Sequence, residues 1–191
     1  YSLLKDLKWD SEIIGYLTAI HEAKGKQELY LKQQPAKHDK LVEIAKVQST
    51  ESSNDIEGIR TTDTRLKQLL TDKTMPKNRD EEEIAGYRDV LNVIHENFEY
   101  IPLTANYILQ LHKILYSHSE KSIGGKFKNV QNYITLTENG KERILFTPPA
   151  PYETPEAIDK ICSEFNIAVS KCEVAPLILI PVFIHDFLCI H

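Results

Sequence analysis

Apolar residues recur along this chain at three- and four-residue spacings, the period of helices that bury one face. Between Asp10 and Lys24, Ile13, Ile14, Leu17 and Ile20 share a face, and Gly25 offers a stop. After a break at Gln33-Gln34-Pro35, a helix is predicted from about His38 to Ile56, striped by Leu41, Ile44, Ala45 and Val47. Gly58 follows it, at the position where tolerance of positive φ closes a helix. Thr62 or Asp63 can cap a short helix running through Leu70. The polar stretch from Thr71 to Arg79, with Pro76 inside it, reads as a linker. Asp80 to Glu83 then open a helix where carboxylates complement the N-terminal dipole, its inner face being Ile84, Tyr87, Val90, Leu91 and Ile94. Further helices are predicted over roughly Thr104 to Ser117, over Pro155 to Ser170, and from Ala175 onward.

One region departs from this period. From Val130 to Phe146 the pattern alternates in places, and Asn139-Gly140 is a strong signal for a two-residue hairpin turn, with Ile144 and Phe146 on the returning strand. Thr147-Pro148-Pro149-Ala150-Pro151 ends it. An isolated hairpin is marginal in water. It must therefore lean on the helices or serve a purpose of its own, and both readings stand. The expected fold class is all-α with one β-hairpin, divided into an N-terminal helical region over 1–75 and a core over 80–191.

Composition narrows the classes of function. Of 191 residues, 41% are hydrophobic and 27% charged, as in ordinary globular proteins, and the net charge of -5 offers no basic surface to nucleic acid. Cys162, Cys172 and Cys189 form no CxxC and no secreted disulfide framework, so reduced thiols and a cytoplasmic location are expected. Lys5, Asp6 and Lys8 break up the start of the chain, against a signal peptide. The apolar run from Ala175 to Ile190 is shorter than the ~20 residues of a membrane span and contains His185 and Asp186. It reads as a buried core helix, with no membrane partner.

Two local patterns carry chemistry. In Ser53-Asn54-Asp55-Ile56-Glu57-Gly58, Ser53 and Glu57 project from one helical face near its C-terminus. The negative dipole end disfavours a carboxylate there, so Glu57 either is simply solvated or has a cationic partner elsewhere. In His185-Asp186-Phe187-Leu188-Cys189-Ile190-His191, the histidines are six apart, ~240° around an ideal helix. They do not share a face as a zinc pair does, so no metal site is expected in this chain. His191 stands where the next turn could form an active-site loop, and a neutral imidazole there can act as a general base near neutral pH.

These patterns together resemble the Fic family. Its signature, His-Pro-Phe-x-Asp-Gly-Asn-Gly-Arg, follows a helix of the form His-x-x-Phe-x-x-Ile-His. Here Phe183, Ile184, His185, Leu188 and Ile190 lead to His191, with Leu188 where the family has phenylalanine. Ser53-x-x-x-Glu57-Gly58 is similar to the family's inhibitory motif, Ser/Thr-x-x-x-Glu-Gly/Asn, in the class that carries it N-terminal to the core. Leu109-Gln110-Leu111-His112 resembles the core's early helix, and Gly125-Lys126-Phe127-Lys128 the approach to the flap, with Lys128 in place of arginine. The hairpin with Phe146-Thr147-Pro148-Pro149 resembles the flap that docks a target.

The resemblance implies a Fic-type helical bundle and an adenylyltransferase that moves AMP from ATP, with Mg²⁺, to a Ser, Thr or Tyr hydroxyl of a target protein. It implies His191 as the catalytic base, Ser53, Glu57 and Gly58 as the inhibitory segment, and Tyr133, Ile134 and Thr135 as the target-docking flap. The main ligands of ATP and Mg²⁺ would lie beyond residue 191, so the chain as given is expected to be inactive. Ending at His191 would also leave apolar faces of Leu177 to Ile190 uncovered, so association of copies or poor solubility is expected. Removal of AMP, phosphate transfer and phosphocholine transfer are related Fic-fold activities that residues upstream of His191 do not separate. A non-catalytic helical interaction module is the other alternative.

Overall fold

The computed structural model describes Leu4, Lys8 and residues 10–33, 35–71, 74–120, 123–138 and 140–190. Of the predicted features, Gln34 of the break, Asn139 of the turn and His191 lie outside these residues. The all-α expectation holds: the protein is 67% helical, with seven α-helices and one two-stranded antiparallel hairpin among the described residues.

Helix α1 spans Ser11–Gln33 and passes through Gly25, where the sequence had suggested a stop. A lone glycine costs a helix about 1 kcal/mol, and Lys26, four residues after Glu22, bonds it at 2.6 Å across that position. Helix α2 is Pro35–Ile56. Its buried stripe is not the apolar one expected, for Leu41 and Ile44 are exposed while Thr50 and Asn54 are 1% and 6% exposed. Their polar groups are satisfied on α2 itself: Thr50 Oγ1 donates to the Lys46 carbonyl at 2.8 Å and Asn54 Nδ2 to the Thr50 carbonyl at 2.7 Å.

The chain forms two compact units. The first, the helical unit, comprises the described residues of Trp9–Ile101 and Leu111–Gly124. Here α3 (Asp63–Leu70), capped by Thr62, packs on α4 (Arg79–Asn97), capped by Asn78. Leu66, Leu69 and Ile84 form its core, with Ile59 and Leu70 against them. Gly86 sits where α4 meets the end of α5 (Ala105–Leu115): a Cβ there would lie 1.9 Å from the Leu115 carbonyl oxygen.

Glu81 is the unexpected member of this core. Instead of facing solvent at the dipole, it is 3% exposed and accepts from Arg65 Nε at 2.9 Å and Arg65 Nη2 at 2.7 Å. Arg65 also donates to Thr74 Oγ1 at 3.0 Å and the Met75 carbonyl at 2.7 Å, while Lys77 N donates to Glu81 at 2.8 Å. The polar connection between α3 and α4 is thus pinned by one ion pair.

The second, the hairpin unit, includes Pro102–Gln110 and the described residues from Gly125 onward. Strands β1 (Ile134–Glu138) and β2 (Lys141–Phe146) pair from Glu138–Lys141 out to Ile134–Phe146, with a bulge between Ile134 and Thr135. Gly140 takes φ +73, the left-handed conformation that a tight turn requires. Helices α6 (Thr154–Lys171) and α7 (Pro176–Ile190) pack together. Ala105, Ile158, Ile161, Cys162 and Ile190 form the core, and Phe165 meets Phe183 edge-on at 5.3 Å.

Candidate functional site

Within the helical unit, Ser53 lies in the last turn of α2, half-buried, and Glu57 lies just past the helix, exposed. Gly58 adopts φ +75, as expected of a residue closing a helix. Asn54 carries that closure, because its carbonyl accepts both Glu57 N at 3.1 Å and Ile59 N at 2.9 Å. Ser53 Oγ accepts from Tyr87 Oη of α4 at 2.9 Å. Ser53, Glu57 and Gly58 therefore cluster by sequence proximity, while Tyr87 joins them only through folding.

Within the hairpin unit, Tyr133 precedes β1, and Ile134 and Thr135 begin it; all three are exposed. Only Leu136 of the described hairpin strands is half-buried. The hairpin is held at its base rather than along a face. Gln131 Nε2 donates to the Asn132 and Pro148 carbonyls, both at 3.0 Å, tying its two legs together. Val130, Tyr133, Ile134, Ile144 and Leu145 remain exposed, leaving apolar side chains and unpaired strand edges available.

Helix α7 carries the approach to His191 as far as Ile190. Lys128 Nζ donates to the Ile190 carbonyl at 2.9 Å and to Asn132 Oδ1 at 2.8 Å, so one ammonium joins the end of α7 to the residues leading into β1. A cation suits a helix C-terminus, where carbonyls lack helical partners. Partial burial lowers the Lys128 pKa, since desolvation penalises the charged form. The sequence marked Lys128 only as a replacement for arginine; its bond to Ile190, sixty-two positions along, needed the fold. Lys128→Met is expected to keep the stem and lose both bonds. Faster amide exchange over the last turn of α7, with α3 unchanged, is the measurement that checks it.

Helix α7 is less buried than its composition suggested. Leu179, Val182 and Ile190 are buried, but Leu177, Ile180, Ile184 and Leu188 form an exposed stripe along the opposite side. His185 is also exposed, 3.3 Å from Asp186 Oδ1 and 4.0 Å from Cys189 Sγ, rather than a core histidine. Among the described residues, no group of three or more His, Cys, Asp or Glu side chains could hold a metal ion. No helix among them is long and apolar enough to cross a membrane.

The family model of Fic/DOC matches residues 102–191, from the start of the segment leading into α5 through the hairpin and α7. Residues 102–191 thus resemble a Fic/DOC domain. The fold agrees with that of solved Fic proteins. The chain is similar to the crystal structure of a Fic domain containing signaling protein from Bacteroides thetaiotaomicron VPI-5482, with TM-score 0.66 and 23% identity over 82% of this chain. It is also similar to a Fic family protein from Desulfovibrio desulfuricans G20, with TM-score 0.68 and 14% identity over 97% of this chain. At these identities the likeness is one of fold. The chain spans 61% and 53% of the lengths of those two Fic proteins. No curated protein matches it.

Proposed function

We propose that this protein is a protein adenylyltransferase that moves AMP from ATP to a Ser, Thr or Tyr hydroxyl of a target protein in the cytoplasm, and that Glu57 restrains it. The observation that carries this reading is the Fic/DOC match over residues 102–191; by resemblance, His191 would begin the family's signature. In the proposed step the target oxygen bonds to the α-phosphorus, His191 takes the hydroxyl proton, and pyrophosphate leaves. By the family resemblance, the principal groups that would hold ATP and magnesium belong to the signature that His191 would begin.

The exposed residues Tyr133, Ile134 and Thr135, which lead into and begin β1, support main-chain pairing with an extended target segment. The restraint is assigned to Ser53, Glu57 and Gly58 because a carboxylate at the negative end of α2 gains most from an arginine supplied elsewhere. Such a pair would keep that arginine from the γ-phosphate. Free cysteines at 162, 172 and 189 suit a reducing compartment.

The test uses full-length protein and ATP labelled at the α-phosphate. Glu57→Gly is expected to raise automodification at least tenfold, equivalent to about 1.4 kcal/mol of restraint, and His191→Ala to abolish it. Unchanged labelling with Glu57→Gly would remove the inhibitory assignment. Label that survives His191→Ala would remove the base.

A further inference from the structure

We infer that Tyr87 is the positioning residue of the inhibitory segment: its hydroxyl, bonded to Ser53, sets the place of the helix end from which Glu57 extends. The inference rests on the inhibitory reading of Glu57 given above. Its starting point is what fastens α2, which packs on α4, at the end that leads to Glu57. An amphipathic helix is ordinarily clamped by its apolar stripe, yet Leu41, Ile44 and Ile56 of α2 are exposed. The residues it buries most deeply, Thr50 and Asn54, are small and polar. Their side-chain hydrogen bonds go to carbonyls of α2 itself rather than to α4.

The seam between the two helices is also incompletely filled. A cleft of ≈ 350 Å³ opens there, with Lys46, Val47 and Thr50 of α2 on one side and Arg88, Leu91 and Asn92 of α4 on the other. Helices that meet across such a gap gain little dispersion energy there. Directed contacts then set the position. Tyr87 Oη donates to Ser53 Oγ at 2.9 Å, thirty-four residues away in sequence. Ser53 lies one turn before Glu57, so the bond fixes the rotation and height of the last turn of α2. A hold of this strength can be broken without unfolding either helix, which is what a reversible restraint requires.

Tyr87→Phe removes one hydroxyl and keeps the ring. In full-length protein it is expected to raise automodification about fivefold, the worth of one neutral hydrogen bond, and less than Glu57→Gly does. Ser53→Ala should give the same rise, and the double variant no more than either alone. In a Glu57→Gly background Tyr87→Phe should add nothing, because the residue it positions is gone. Amide exchange over 51–58 should quicken about fivefold in Tyr87→Phe, with 63–70 unchanged. If Glu57→Gly raises labelling while Tyr87→Phe changes neither labelling nor exchange, the positioning role falls and the inhibitory reading stands. An equal rise in the Glu57→Gly background would mark a general structural effect and also overturn it. If Glu57→Gly itself does nothing, the inhibitory reading fails and takes this inference with it.

Discussion

Glu81→Gln is expected to lower the thermal midpoint of the helical unit by roughly 15 °C at neutral pH, the shift that a loss of ~3 kcal/mol gives in a domain near 100 residues. The carboxylate is 3% exposed and accepts from both arms of the Arg65 fork, from Lys77 N at 2.8 Å and from Thr61 Oγ1 at 3.4 Å. Glutamine keeps the shape but turns an amide towards the guanidinium, which is left without its counter-charge. Arg65 also gathers Thr74 and Met75, so its release loosens the whole connection from α3 to α4.

The same site carries a pH signature. Arg65's hydrogen bonds above all, then Lys77 N and the arginine's charge, hold the Glu81 carboxyl at about 2 against an ordinary value of 4.5. A carboxyl depressed on folding stabilises the protein fully above its unfolded value and loses that contribution as pH falls through the folded one. Wild type should therefore weaken between about pH 4.5 and 2, and its advantage over Glu81→Gln should narrow across that window. Urea midpoints of both proteins against pH measure it. A constant difference down to pH 2 would show that the charge is not what matters. Removing Glu22, whose pair with Lys26 is two-thirds exposed on both sides, should change little.

Gly86→Ala is expected to destabilise the helical unit by roughly 3 kcal/mol, although helix propensity alone predicts a gain of about 1 kcal/mol for the same change. The added Cβ would stand 1.9 Å from the Leu115 carbonyl oxygen and 2.8 Å from its carbon. Both are backbone atoms of α5, so no rotamer relieves the clash and the helices must separate. Gly25, also within a helix, has nothing within 4 Å of its added Cβ. Gly25→Ala should therefore stabilise by up to about 1 kcal/mol. Opposite signs for the two substitutions in urea unfolding are the outcome that checks the close approach. A stabilised Gly86→Ala would mean that α4 and α5 do not meet there.

Much of the fold was legible because helix signals are local. Thr62 caps α3, Gly58 closes the segment after α2, and the turn signal at Asn139-Gly140 matches a hairpin whose Gly140 has positive φ. What misled was the assumption that apolar stripes mark the buried faces. On α2 the buried positions are Thr50 and Asn54, and on α7 an apolar stripe stays exposed. Periodicity tells which residues share a face, not which face meets a neighbour. Gly25 misled for a related reason, since good helix formers and an i, i+4 ion pair carry α1 past it.

The candidate site divides along the same line. Ser53, Glu57 and Gly58 were readable as a unit because helical geometry alone joins them. Their tether to Tyr87, the bond of Lys128 to Ile190 and the two-legged grip of Gln131 were not, since each links residues far apart in the chain.

Residue order and local stereochemistry determined the helices, the hairpin and the family motifs of this protein. Tertiary structure decided which polar side chains are buried and paired, Glu81 with Arg65 above all. It also decided that Gly86 touches another backbone. The physical reason is that a capped turn or helical period needs only near neighbours, whereas burial and close approach depend on what the rest of the chain brings against a face.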